Sequence, residues 1–351
     1  MGVSIFIFPE AQFSADENRY LAALPSLSFD NIFDGSFSRG FSEFCSDRIP
    51  ARQKLISLVA TSERLLGKQE YNGIIFGKDG YLIPKGEYSD FHKLEANLAF
   101  IDSLQTAAGS QNIPFICAVA PRSIDLNSSR LPSTYSSEYD EIWSFILGSR
   151  PWIIDLRAPL LSSSRSDLWY KTDHHWTTAG AFLAYSTVCG EMGISPYGEE
   201  YFETVKVCDD FFGTSSSRVG GAWARADSIY LYRYGGDGDF TLNIPEKGIS
   251  QGGFYFSDAL DGKDKYSVFL GGNYGYLEIT ANADEKRERL LLIKDSYANS
   301  VIPFLALHFD LTVVDPRYYS GDIFSLLPRA DKILVLMGAG TLAETVLTSY
   351  P

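Results

Sequence analysis

The spacing of apolar residues along the chain changes character several times, and each change predicts a different kind of element. "PARQKLISLVATSERLLGK" (50–68) has apolar positions returning at helical spacing. "SDFHKLEANLAFIDSLQTAAG" (89–109) repeats that period. It places Phe91, Leu94, Leu98, Ile101 and Leu104 on one face, with Ser89 as the N-cap. Between these helices, "NGIIFGKDGYLI" (72–83) reads as two short strands around a Lys78-Asp79-Gly80 turn. Upstream, "ENRYLAALPSLSF" reads as a capped turn followed by loop, and residues 1–68 as a helical arm.

From residue 113 the runs become continuous. "IPFICAVAP" (113–121) and "PWIIDLR" (151–157) have the apolar content of strands buried on both faces. A helix is expected between them at about 137–148. A second helix is capped by Thr177 or Thr178 and stopped by Gly190 or Gly193. This β-α-β-α order implies a parallel sheet. Residues 200–285 lose the rhythm. They are rich in Gly, Tyr, Ser and Asp, with short alternating runs such as "SIYLYRY" and "YSVFLGG", and read as a β-rich insertion. The alternation resumes with "RLLLIKDS" (289–296), a helix at about 300–308, "LTVVDPR" (311–317), a helix at about 321–328, "DKILVLMGAG" (331–340) and a short last helix. The expected class is therefore α/β, a doubly wound parallel sheet contributed by two blocks. The expected division is an arm at 1–68, a first sheet segment at 69–199, the insertion at 200–285 and a second sheet segment at 286–351.

Composition narrows the function. The 351 residues are 45% hydrophobic and 14% aromatic, and the net charge is −14. That charge disfavours nucleic acid and anionic membrane surfaces as partners. The 21 tyrosines and five tryptophans fill core positions or offer sugar-stacking surfaces. Cys45, Cys117, Cys189 and Cys208 form no C-x-x-C pair, which argues against a zinc site, and Cys117 reads as a buried thiol. "VSIFIF" (3–8) is too short to span a bilayer; it reads as the start of a strand or as the trailing end of an anchor.

Two short stretches carry candidate chemistry. In "LLLIKDSYANS", Ser296 sits where a buried strand ends and a helix begins. Ligands bind at such carboxyl ends in open α/β sheets. A serine there is either a helix cap or an acyl-transfer nucleophile. In "YKTDHHWTTAGAFLAY", two of the chain's four histidines stand side by side. Residues i and i+2 of an extended segment share a side. Asp173 and His175 are therefore expected to face one cleft, with His174 turned away into packing or backbone contacts. An aspartate that orients a histidine beside a serine follows the logic of a catalytic triad. The alternative is a metal site built on Asp173, His174 and His175, which lacks an evident distant ligand.

The motifs "TDHHWTTAGAF", "GKDGYLI", "KDSYANSVIPFL" and "VVDPRYY" resemble the DHHW protein family over about residues 15–345. That family in turn resembles the SGNH-hydrolase-like domain of alginate O-acetylation proteins. The resemblance implies a circularly permuted SGNH-type sheet, with the strand of 289–296 first in the fold's order and that of 151–157 last. It also implies a D-x-H pair matched by Asp173 and His175, and a nucleophile matched by Ser296. The implied activity is a serine esterase or O-acetyltransferase needing no cofactor or metal. Its substrate would be an acyl ester on a carbohydrate polymer of the cell envelope. The implied location is extracytoplasmic, secreted or membrane-anchored, with a tether N-terminal to this sequence. One departure stands out. SGNH enzymes carry Gly-x-Asn after the third strand, whereas this chain reads Gly338-Ala339-Gly340-Thr341. The oxyanion donor must then be a backbone N–H or another side chain, such as Asn273 in "GGNYG", which also reads as a turn residue. Arg317 after "LTVVD" either contacts substrate or pairs with an acidic residue. Tyr297, next to Ser296, completes the candidate substrate contacts. The rival readings are a non-catalytic glycan-binding or assembly protein, and a metal-dependent hydrolase.

Overall fold

The computed structural model describes residues 12–14, 19–86, 91–135, 140–148, 150–283 and 286–347. Ser89 and the first residues of the "SEYDEIWSFILG" helix lie outside them, as does the whole "VSIFIF" segment (3–8), within residues 1–11. In chain order the elements used below are α1 (Ser36–Asp47), α2 (Arg52–Leu65), α3 (His92–Ser110), β1 (Phe115–Ala120), α4 (Asp140–Leu147), β2 (Ile153–Asp155) and α5 (Thr178–Glu191). They continue with β3 (Phe240–Ile244), β4 (Ile249–Gly252), β5 (Tyr276–Ala281), β6 (Arg289–Lys294), β7 (Asp310–Val314), β8 (Lys332–Gly338) and α6 (Ala339–Glu344).

The eight β-strands form one sheet in the order β4-β3-β5-β7-β6-β8-β1-β2. From β7 to β2 every neighbour is parallel. These strands are the continuous apolar runs, and their side chains alternate between two cores. Leu290 and Leu292 of β6 join one, and Leu291 and Ile293 the other. The first core is covered by α5, whose Ala181, Ala184, Tyr185 and Val188 are buried in it. The second is covered by α3 and α4 through Leu94, Leu98, Ile101, Ile142 and Trp143. Each fully buried leucine, isoleucine or valine among them contributes roughly 1.5–3 kcal/mol.

The expectation of a wholly parallel sheet is corrected at the other edge. β5 pairs antiparallel with β7, β3 with β5, and β4 with β3. The physical reason is visible in the burial pattern. β3 buries Phe240, Leu242 and Ile244 and leaves the residues between them half-buried, the alternation of an antiparallel strand with one wet face. The sheet is therefore mixed, and three strands from 200–285 extend it. The remaining strands of that segment, Glu203–Phe211 and Asp227–Arg233, form a separate bulged hairpin. Its Phe211, Ile229 and Leu231 share a small core with Tyr170, Tyr266 and Phe269.

The hairpin around Lys78-Asp79-Gly80 forms as expected, with Ile74–Phe76 paired to Leu82–Pro84. Asp79 at φ 59° and Gly80 at φ 84° make the reversal. The helices expected at 300–308 and 321–328 are short. The first is a 3-10 turn at Ser296–Ser300 followed by Ile302–Leu305, and the second is 3-10 throughout at Ile323–Arg329. Pro328 sits inside the second segment and removes a backbone donor that a longer helix needs, whereas Pro303 stands in the first turn of its helix, where no donor is lost. All four cysteines are free, and burial pushes the Cys117 thiol up to about 12. Among the described residues no helix is long and apolar enough to cross a membrane.

Candidate active site

Ser296 lies two positions beyond the end of β6, at the carboxyl end of the parallel strands, and 121 positions along the chain from His175. The fold closes that gap. His175 Nε2 lies 2.8 Å from Ser296 Oγ, and His175 Nδ1 lies 2.6 Å from Asp173 Oδ1. All three are nearly buried, with Asp173 2%, His175 5% and Ser296 8% exposed.

The loop that carries Asp173 and His175 is a bend, not the extended segment the sequence suggested. The two still face the same way because the His175 backbone N–H donates to Asp173 Oδ1 at 3.0 Å. This is an Asx turn, in which a short carboxylate replaces a backbone acceptor. The same device recurs at the ends of the parallel strands. Tyr297 N–H donates to Asp295 Oδ1, Arg317 N–H to Asp315 Oδ1 and Arg157 N–H to Asp155 Oδ1.

The other carboxylate oxygen of Asp173 accepts from the backbone N–H of Thr214 at 2.8 Å and from its hydroxyl at 3.0 Å. Burial disfavours the charge on Asp173. The positive potential of His174 and His175 and the hydrogen bonds outweigh it, so the carboxyl stays well below the usual carboxylate range. Gly213 is what lets Thr214 come so close. A Cβ at Gly213 would fall 2.2 Å from Asp173 Oδ2.

His174 departs from expectation. Its carbonyl is held by Trp169 Nε1 at 3.0 Å and by the Tyr297 hydroxyl at 2.7 Å. Its ring, however, is not packed away. It meets Thr214 Oγ1 through Nδ1 at 2.8 Å, leaves 38% of the side chain exposed, and lines a cavity of 730 Å³. An i+1 residue in a bend leaves sideways rather than to the opposite face, which is why the alternation rule misplaced it.

The candidate substrate contacts separate. Tyr297 lines the same cavity. Arg317 is bidentate to Asp315, at 2.9 and 2.7 Å, which is the acid-pairing alternative. Asn273 Oδ1 accepts from Lys294 Nζ at 3.3 Å and from Asn299 Nδ2 at 3.2 Å. Among the described residues it makes no hydrogen bond to Ser296 or His175. Lys294 is fully buried beneath the serine turn, with its ammonium 2.8 Å from Asn299 Oδ1 and 3.5 Å from Asp315. Burial pulls its pKa down while Asp315 opposes the shift. At the position where Gly-x-Asn was absent, Gly338 N–H donates to Asp295 Oδ2 at 2.8 Å. Among the described residues, the Ser296 N–H has no such partner.

Asp173, His174 and His175 have donor atoms within 4.8 Å of one another, close enough to share an ion. Each is already engaged. Asp173 accepts from His175 and Thr214, His175 Nε2 meets Ser296, and His174 Nδ1 meets Thr214. A metal would have to break that set.

Tyr266 was missed by sequence reasoning. Its ring lies flat on the His175 imidazole, 3.9 Å between centroids and 8° between planes, and its hydroxyl reaches the Ser296 carbonyl at 3.2 Å. Thr214 was missed as well. Both come from the segment read only as an insertion, and no local pattern marks either one. Trp176 was legible as part of the motif. Its Nε1 donates to the Tyr297 carbonyl at 3.0 Å and to Ser300 Oγ at 3.1 Å, clamping the serine turn to the histidine loop.

Comparison with known proteins relates the sequence and the fold to known families. Residues 154–314 match the DHHW protein model, and residues 74–207 match the SGNH hydrolase-like domain of the acetyltransferase AlgX. No curated protein matches the chain. A DHHW family protein from Eubacterium siraeum is similar in fold, with TM-score 0.66 and 20% identity over 79% of this chain and 94% of that one. PatB1 of Bacillus cereus, solved with a sulfonyl adduct, has TM-score 0.65 and 19% identity over 79% of this chain and 100% of its own. The O-acetyltransferase domain of Pseudomonas putida AlgJ has TM-score 0.50 and 14% identity, covering 80% and 95% of the two chains. Over residues 154–314, the stretch that carries both the Asp173–His175 pair and Ser296, this chain matches the DHHW protein family, and over residues 74–207, which hold Asp173 and His175 but not Ser296, it matches an SGNH hydrolase-like domain.

Proposed function

We propose that the protein is a serine-dependent O-acyltransferase or esterase acting on acyl groups of an extracytoplasmic glycan, with Ser296 as nucleophile, His175 as base and Asp173 as orienting acid. The observation that carries this reading is the unbroken hydrogen-bond chain Asp173–His175–Ser296, at 2.6 and 2.8 Å. A serine hydroxyl is a weak nucleophile unless a base sits beside it, and here one does. The names of AlgJ, an O-acetyltransferase domain, and of AlgX, an acetyltransferase, support the reaction class. The sulfonyl adduct of PatB1 supports a nucleophile open to sulfonylation. The strands β7-β6-β8-β1-β2 are read as a doubly wound, circularly permuted SGNH core. The same reading puts the protein outside the cytoplasm, secreted or tethered.

In the reaction, Ser296 Oγ attacks the ester carbonyl as His175 Nε2 takes its proton. The Asp173 carboxylate stabilises the imidazolium through Nδ1–H. The Ser296 N–H is the candidate donor to the oxyanion. Collapse breaks the ester C–O bond, and His175 returns the proton to the departing sugar hydroxyl, leaving an acyl-serine. A water or a second sugar hydroxyl then gives its proton to His175 and attacks. The ester to Ser296 breaks, and the proton goes back to Oγ.

Intact-protein mass spectrometry after treatment with a sulfonyl fluoride tests the proposal. One covalent adduct that disappears in Ser296→Ala supports it. Folded protein that takes no adduct at Ser296 favours the rival of a glycan-binding protein. The observation favouring that rival is that the Tyr297 and Gly338 N–H groups are spent on Asp295, which leaves few donors for an oxyanion.

A further inference from the structure

The segment Gly213–Arg218 does two things at once. Thr214 holds Asp173 and His174, and the next residues build the wall of the 730 Å³ cavity onto which His174 and Tyr297 open. Two polar groups on that wall are unspent. Ser215 is 1% exposed, and its Oγ, buried on the cavity lining, has no hydrogen-bond partner among the described residues. Buried hydroxyls without partners are uncommon in native proteins. Arg218 also lines the cavity, and among the described residues it pairs with no carboxylate, although the chain carries 44 acidic residues against 30 basic ones. Its guanidinium rests against Gly73. A Cβ there would come within 2.5 Å of it, and the backbone stands at φ 69°. Arg122, the other arginine of the lining, is already bidentate to Asp125. Glu344 is the acidic residue of the lining.

We propose that this cavity is the sugar subsite beside Ser296, and that it selects a glycan bearing an anionic group, carboxylate or phosphate. Arg218 receives the anion, and Ser215 Oγ hydrogen-bonds a hydroxyl of the same sugar. A guanidinium matches either anion in bidentate fashion. Seating Arg218 over a glycine backbone fixes where that fork points. This rests on the reading of Ser296 as the acyl-transfer nucleophile, but binding is measurable apart from catalysis.

The experiment measures equilibrium binding to the Ser296→Ala protein, so that no ligand is consumed. The probes are an O-acetylated methyl glucuronoside, an O-acetylated methyl glucoside and an O-acetylated glucose 6-phosphate. One anionic probe should bind about tenfold tighter than the neutral one, and which of the two does so identifies carboxylate or phosphate. Arg218→Gln should erase that difference, and Arg218→Lys should restore part of it. Ser215→Val should weaken all the probes alike. Unchanged melting temperatures for the exposed Arg218 variants show that they are folded. Equal affinities, no binding of any probe, or an anion preference that survives Arg218→Gln would each overturn the proposal. Loss of Ser296 labelling in the wild type with the anion preference intact would instead remove the catalytic reading alone.

Discussion

Tyr266 and His175 are stacked face to face, and one hydroxyl ties the tyrosine to the carbonyl of the serine that the histidine faces. Removing that ring frees the imidazole and opens a hole in the small core that Tyr266 shares with Phe211 and Phe269. Tyr266→Ala should therefore cost about 3–5 kcal/mol in chemical denaturation and slow sulfonylation of Ser296. Tyr266→Phe keeps the stack and should cost only about 1 kcal/mol. Equal losses in the two variants would mean that the hydroxyl, not the stack, is what matters.

The triad should behave as one unit. General-base help is worth about 100- to 10,000-fold. Ser296→Ala and His175→Ala should each remove most acetyl-ester turnover, and the double variant should be little worse than either. Asp173→Asn should cost less than Ser296→Ala. Steady-state rates on a small acetyl ester decide it. Multiplicative losses in the double variant would show that serine and histidine act independently.

Gly213 has no room for a side chain. Its added methyl would meet the Asp173 carboxylate, so Gly213→Ala should push that carboxylate out of line with His175. Displacements of about 1 Å cost about 100-fold in rate, and overpacking costs about 1–3 kcal/mol. Gly238→Ala, where nothing lies within 4 Å of the new Cβ, is the control that should leave melting temperature and labelling unchanged. Normal labelling of Gly213→Ala would show that the Thr214 contacts are dispensable.

His174 makes the fold sensitive to acid. Partial desolvation of the ring and the neighbouring His175 push its pKa down to about 4, opposed by the Asp173 carboxylate and by solvent at the 38% of the side chain that stays exposed, against about 6.5 in an unfolded chain. The unfolded state therefore takes up the proton first. The stabilisation is complete above pH about 6.5, declines as pH falls, and is gone below the folded value of about 4. Thermal melts of His174→Gln across that range should show a shallower slope than the wild type. Parallel slopes would assign the acid sensitivity elsewhere.

The donors of Asp173, His174 and His175 are committed to one another, to Ser296 and to Thr214. Treatment with EDTA should leave the sulfonylation of Ser296 unchanged, and added zinc should slow it by competing for the imidazoles. A rate that falls on chelation and returns with metal would favour the metal-dependent hydrolase.

By itself the sequence determined the parallel core and the chemical candidates. Runs such as "LLLIK" and "FICAVA" are apolar at successive positions, and only strands covered on both faces can bury them. Ser296 and the Asp173–His175 pair were legible because each lies next to such a run or a helix cap, where local rules place side chains. The tertiary structure decided the rest. It joined β3, β4 and β5 antiparallel to the same sheet, since strand partners are chosen by which edges meet and alternation alone names no partner. It turned His174 onto the cavity, because an Asx turn at Asp173 replaced the extended backbone. It also brought Tyr266, Thr214 and Arg218 to the site from a segment with no motif. Their roles depend on contacts made across the fold, and a residue's neighbours in sequence carry no information about neighbours gained only when the chain closes on itself.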